Sequence, residues 1–166
     1  MRSSARVFWP FASLLVLTDC ATKRAIEGTL PPGVPTPIVT DVLRFTLAYN
    51  PGAAFSMHFG PYQRWVLIAL VLSVLLFLAR SYRHIVQTGR LGSAGLALVV
   101  GGAVGNLLDR LLSDRGVVDF IDVGIGASRF YVFNVADAGV SVGAALLAYA
   151  FWKNQGGASG RPALAE

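Results

Sequence analysis

Three blocks between Gly101 and Asp137 decide the fold: G-G-A-V-G-N-L-L-D-R (101–110), V-V-D-F-I-D (117–122) and F-N-V-A-D (133–137). In an otherwise apolar chain they gather Asn106, Asp109, Arg110, Asp119, Asp122, Asn134 and Asp137. Apolar runs on either side have the length and composition of membrane spans, so these groups fall at or near hydrocarbon. A carboxylate there is costly unless it is paired, wetted or useful, and by default it marks a functional site.

The whole composition agrees with a membrane setting. The 166 residues make one domain, 54% of them hydrophobic and 14% charged, with a mean hydropathy of +0.59, which favours a membrane protein over a soluble globule. The net charge of +5 raises nucleic acid as a partner. Many Lys and Arg residues instead sit at the ends of apolar runs, without a basic stripe interleaved with aromatics, and no nucleic-acid partner is expected. A single cysteine, Cys20, excludes an internal disulfide and a multi-Cys metal site. His58 and His84 lack ligand spacing, so no metal and no cofactor are expected.

Working outward, the pattern gives an all-α membrane protein of four spans, at about residues 7–22, 62–79, 91–112 and 134–152. Outer loops cover 24–61 and 113–133, and a disordered cytoplasmic tail covers 153–166. The first run follows Arg2 and Arg6, as a secretory signal would, and Leu17-Thr18-Asp19-Cys20 has the spacing of a lipoprotein cleavage box. Asp19 stands where such a box needs a small neutral residue, so the run reads as an uncleaved span. Lys23 lies one turn beyond Asp19 on the same face, a pairing that an interfacial helix end also explains. In the first loop, Leu30 to Pro37 is Pro-rich and extended, and Ile38 to Tyr49 has the β-branched and aromatic content of one or two strands. Asn50-Pro51-Gly52-Ala53-Ala54-Phe55 then marks a turn, which Asn50 either braces or uses to reach a substrate backbone. In the third span, Gly101 and Gly105 have the spacing that lets helices approach closely, and Asn106, Asp109 and Arg110 share a face. Asn134 and Asp137 also have a plain reading, as N-cap and third residue of the fourth helix.

Four spans put both termini on one side. Each side then holds seven basic residues, but Arg2, Arg6, Arg80, Arg83, Arg90, Lys153 and Arg161 lie in short flanks nearly free of acids. Such flanks set orientation, which makes the termini cytoplasmic. Every unusual polar group then falls at the outer interface, while the inner ends carry a single carboxylate, Glu166 on the tail. The expectation is a single polar site on the periplasmic or outer face.

That site offers Asp, Asn, Arg and Lys, without a Ser–His or Cys–His pair. Paired carboxylates can hydrolyse a peptide bond by sharing a proton: one takes a proton from water while its protonated partner polarises the carbonyl. Asp119 and Asp137 are the natural pair if the loop between them folds back. Asp122, one turn from Asp119 if that stretch is helical, stays a competitor. A proton or cation pathway built on the same carboxylates is the rival reading, though the second span carries no acid.

D-C-A-T-K (19–23), N-P-G-A-A-F (50–55) and the three blocks above, in this order and spacing, resemble lipoprotein signal peptidase (signal peptidase II) over about residues 7 to 152. The resemblance implies an inner-membrane aspartic endopeptidase that cleaves prolipoproteins before a diacylglyceryl-modified Cys and is sensitive to globomycin-like inhibitors. It implies a catalytic dyad of Asp119 and Asp137. Asn50, Gly52, Asn106, Arg110 and Asn134 would hold substrate or inhibitor, and Asp19, Lys23 and Asp109 would support the site. It also implies an extracytoplasmic β-element at Ile38 to Tyr49. A monomer is expected, in contact with membrane lipids. Cys20 replaces a common Gln, Pro51 fills a variable position, and Ala138-Gly139-Val140 replaces a stretch where a Ser and an Ile are common. None of these departures removes a catalytic group.

Overall fold

The computed structural model describes residues 2–52 and 60–158. Residues 53–55 of the expected turn, His58 and residues 159–166 of the expected tail lie outside them. Four long helices, α1 (Arg2–Thr29), α2 (Gln63–Val86), α3 (Arg90–Leu112) and α4 (Val135–Ala158), run beside a small sheet. Its strands β1 (Thr36–Val39), β2 (Leu43–Asn50), β3 (Val117–Ile125) and β4 (Ser128–Arg129) are antiparallel and ordered β1-β2-β3-β4.

α3 is the central helix and packs against α1, α2 and α4. Its glycines make this possible. A Cβ added at Gly101 would stand 2.9 Å from the Ala12 carbonyl oxygen of α1, and one at Gly95 would stand 2.8 Å from the Gly143 carbonyl oxygen of α4. Backbones this close gain dispersion contacts that longer side chains would forbid. α2 lies at the periphery, with Leu70, Leu72, Leu76 and Phe77 exposed. A helix that is apolar on its outer face belongs in hydrocarbon. The segments Gly60–Val86, Arg90–Leu112 and Val135–Gln155 are long and apolar enough to cross a membrane. α1 has 28 residues, but Asp19, Lys23, Arg24 and Glu27 crowd its C-terminal part, and it is not among these three.

Two buried clusters hold the layers together. Phe8, Ala12, Ile85, Val86, Leu96 and Ala97 join α1, α2 and α3 at the end away from the sheet. Ile26, Leu47, Val118 and Phe120 join α1 to β2 and β3 at the other end. Loop and strand are stitched once more by Phe133, which accepts from the Ile121 amide at 2.7 Å and donates to the Ile121 carbonyl at 3.1 Å. That pairing sets Asn134 at the mouth of α4, directly beside β3.

Several boundaries differ from the sequence reading. α1 continues through Thr29 instead of ending near 22, because Ile26 is buried under the sheet and no proline intervenes before Pro31. α2 continues to Val86 because Ile85 and Val86 bury in the inner cluster while Arg80 and Arg83 face outward. α4 continues to Ala158, past Trp152. The β-structure is not confined to the first outer loop. Residues 117–125 of the second loop form β3, the partner of β2, and its aspartates concealed the strand pattern.

Candidate active site

β3 delivers Asp119 in register with Ala48 of β2, and the side chain is 3% exposed. Its Oδ1 accepts a hydrogen bond from Asn134 Nδ2 at 2.7 Å and its Oδ2 one from Asn50 Nδ2 at 3.0 Å. Burial, with the charge of Asp137 nearby, pushes the Asp119 carboxyl up to about 6, although the Asn50 and Asn134 hydrogen bonds and Lys23 pull the other way.

Asp137 arrives from the first turn of α4. Its Oδ2 accepts the Asn134 backbone N–H at 3.3 Å, while the Asp137 N–H donates to Asn134 Oδ1 at 2.9 Å. This reciprocal pair is a capping box. The plain capping reading of these two residues therefore holds, and the cap is also what aims them. Asp137 Oδ1 accepts from Asn106 Nδ2 of α3 at 2.7 Å.

The two asparagines are oriented by partners that leave no choice of donor. Asn106 Oδ1 faces the Lys23 ammonium at 3.0 Å, a group with no acceptor, so Asn106 Nδ2 is left to donate to Asp137. Asn134 Oδ1 takes the Asp137 N–H, so its Nδ2 donates to Asp119, with further contacts to Asn106 Oδ1 at 3.0 Å and the Val118 carbonyl at 3.3 Å. One amide serves each carboxylate, and the two amides touch. Asp119 and Asp137, eighteen positions apart in sequence, are thereby brought into one network.

Behind it lies an ion cluster. Lys23 Nζ is 2.7 Å from Asp19 Oδ2 and 2.8 Å from Asp109 Oδ2, with Lys23 2% and Asp19 0% exposed. The expected Asp19–Lys23 ion pair is present and buried, and a third charge, Asp109, joins it. Asp19 Oδ1 accepts the Ala136 N–H at 2.9 Å and Asp109 Oδ2 the Val118 N–H at 3.1 Å. The cluster thus ties α1 to the start of α4 and α3 to the start of β3, which holds Asp137 and Asp119 in place.

Arg110, half-buried, donates from Nη1 to the Asn106 carbonyl at 3.1 Å, and its charge is felt by Asp137, Asp119 and Asp109. Its Nε has no partner among the described residues. Arg110 also lines a cavity of 220 Å³ with Pro51, Gln63, Arg64 and Asp114. Asn50 braces the turn, its Oδ1 accepting the Gly52 N–H at 2.9 Å, while its Nδ2 donates to Asp119, a contact the sequence did not suggest. Gly52 has φ +112°, a conformation suited to glycine.

Asp122 belongs to different surroundings. Three residues from Asp119 on a strand, it projects from the opposite face. Its Oδ1 takes Arg129 Nε at 2.6 Å and its Oδ2 the Thr46 hydroxyl at 3.0 Å. Burial alone would raise this carboxyl, but the Arg129 and Thr46 hydrogen bonds hold it below the usual carboxylate range. Asp122 is thus ion-paired to Arg129.

Sequence reasoning passed over Arg64 and Gln63. Arg64 pairs with Asp114 and donates to the Leu111 carbonyl at 3.0 Å, closing the C-terminus of α3. Gln63 Nε2 donates to the Pro51 carbonyl at 3.0 Å. The signal available was a basic residue facing a helix C-terminus, which only the fold brings together. Among the described residues, no group of three or more His, Cys, Asp or Glu side chains is arranged to hold a metal ion.

The family model for signal peptidase (SPase) II matches residues 11–153. The lipoprotein signal peptidase of Hydrogenovibrio crunogenus is 39% identical over 155 residues, covering 92% of this chain and 89% of the relative. That of Burkholderia mallei is 40% identical over 147 residues, covering 85% of each. A bacterial membrane enzyme solved by the in meso method at 2.3 Å superposes with a TM-score of 0.80 at 26% identity, covering 100% of this chain and 96% of its own. A second, at 1.9 Å, gives 0.77 at 28%, covering 91% and 93%.

Proposed function

The chain belongs to the signal peptidase II family, and from that premise we propose an aspartic endopeptidase that removes signal peptides from bacterial prolipoproteins, with Asp119 and Asp137 as the catalytic dyad. The observation that carries the reading is the pair of asparagines that hands one hydrogen bond to each carboxylate and joins them in one network, buried at Asp119 and Asn134 and part-buried at Asp137.

The raised carboxyl of Asp119 makes it the member that holds the shared proton, and Asp137 takes a proton from the attacking water. Protonated Asp119 donates to the scissile carbonyl oxygen as charge develops there. Arg110, whose buried Nε has no partner among the described residues, and Asn50, on the turn beside Asp119, hold the substrate backbone by charge-assisted and amide hydrogen bonds.

In the bilayer, α1 joins the three apolar helices as a fourth span. Both termini are cytoplasmic and the sheet end faces the outer side of the inner membrane. A substrate anchored by its diacylglyceryl group then enters sideways, and cleavage falls just before the modified Cys. Globomycin-like inhibitors occupy the same place. A proton or cation pathway would need polar groups through the depth of the membrane. The chain instead carries no acidic residue between Asp41 and Asp109 or between Asp137 and Glu166.

The reading is tested by incubating the purified protein with a prolipoprotein before and after diacylglyceryl transfer, and weighing the products. The expected product begins with the modified Cys and forms only from the modified precursor. Cleavage elsewhere, or equal cleavage of the unmodified precursor, would contradict it.

A further inference from the structure

α1 and α2 each pack against α3 and leave between them a groove of 950 Å³, floored by Val100 and Val104 and walled by Val16 of α1 and Leu78 of α2. Near the end away from the sheet the Phe8 and Tyr82 rings meet edge to face at 5.3 Å, joining the walls. Arg80 and Arg83 line that end. They stand one turn apart on α2 and are exposed. Among the described residues neither forms an ion pair, and the long acid-free stretch around them supplies no carboxylate. An apolar trough ending in two unpaired cations is complementary to a molecule with an acyl chain and an anionic head.

We propose that this groove binds an anionic phospholipid, its acyl chain lying along Val100 and Val104 between α1 and α2 and its phosphate held by Arg80 and Arg83. Charge selects this occupant over the alternatives. A signal peptide would bring its own cationic n-region to the same end, and the same face of a second copy would set arginine against arginine. The proposal needs only that the chain sits in a bilayer, so it stands or falls apart from the peptidase reading.

Native mass spectrometry of the full-length protein tests it, with phosphatidylglycerol and phosphatidylcholine of identical acyl chains competing in one sample. Wild type should retain the anionic lipid on the order of tenfold better, and the double variant Arg80→Gln, Arg83→Gln should bring the ratio near one. Val100→Trp should reduce adducts of both lipids by filling the groove. A photoactivatable benzoylphenylalanine at Val16 gives a second reading, expected to crosslink phosphatidylglycerol. Equal retention by wild type, a preference that survives in the double variant, or unchanged adducts in Val100→Trp would overturn the proposal. So would crosslinking confined to a prolipoprotein or to a second copy of the chain.

Discussion

Lys23 shows how much one buried charge does. It pairs with both Asp19 and Asp109 and, by occupying Asn106 Oδ1, turns the Asn106 amide toward Asp137. Replacing it with Met leaves the buried Asp19 carboxylate facing the part-buried Asp109 carboxylate across α1 and α3. The expected loss is about 3–5 kcal/mol of stability, read as a fall in melting temperature in detergent, with peptidase activity lost alongside. Asp119 gives a pH signature. Its folded-state value is raised, so its contribution to stability is full below the unfolded value, near 4, and is lost as pH rises through about 6. Wild-type melting temperature should therefore decline over that window relative to Asp119→Asn, whose profile should be flatter. Parallel profiles would show that Asp119 carries no raised carboxyl.

Among the elements, α3 carries the tightest geometry. A Cβ at Gly105 would stand 2.6 Å from Asp19 Oδ2, so Gly105→Ala should push α1 from α3 and disturb the Lys23 cluster. Overpacking of this kind costs about 1–3 kcal/mol, measurable as a lower melting temperature with a matching loss of activity. The glycine spacing, the long apolar runs and the Asn134–Asp137 cap were legible because each is a local pattern. β3 was not, since Asp119 and Asp122 interrupt its apolar residues and its partner β2 lies far away in sequence. Nor was the Lys23–Asp109 contact, because helical spacing pairs Lys23 with Asp19 and is silent about a third helix. The helical spacing considered for Asp119 and Asp122 fails on the same point: a strand separates by face two residues that a helix would have stacked.

For the whole molecule, the arrangement is one of polarity along the bundle. Among the described residues the carboxylates, Asn50, Asn106, Asn134 and the sheet gather at one end, while Arg80, Arg83 and the inner cluster occupy the other. The proposed topology predicts that, in a Cys20→Ser background, Tyr131→Cys is labelled by a membrane-impermeant maleimide in intact spheroplasts. Arg83→Cys should be labelled only after permeabilisation, and the reverse pattern would invert the orientation. The central claim, that Asp119 and Asp137 together perform the hydrolysis, is tested most directly by cleavage of a diacylglyceryl-modified prolipoprotein in lipid. Wild type is compared there with Asp119→Asn, Asp137→Asn and Asp122→Asn. Loss of either dyad carboxylate should slow turnover by at least about a hundredfold, while Asp122→Asn, which frees Arg129 on the other face of β3, should cleave at a rate close to wild type. Undiminished cleavage by well-folded Asp119→Asn or Asp137→Asn would contradict the account.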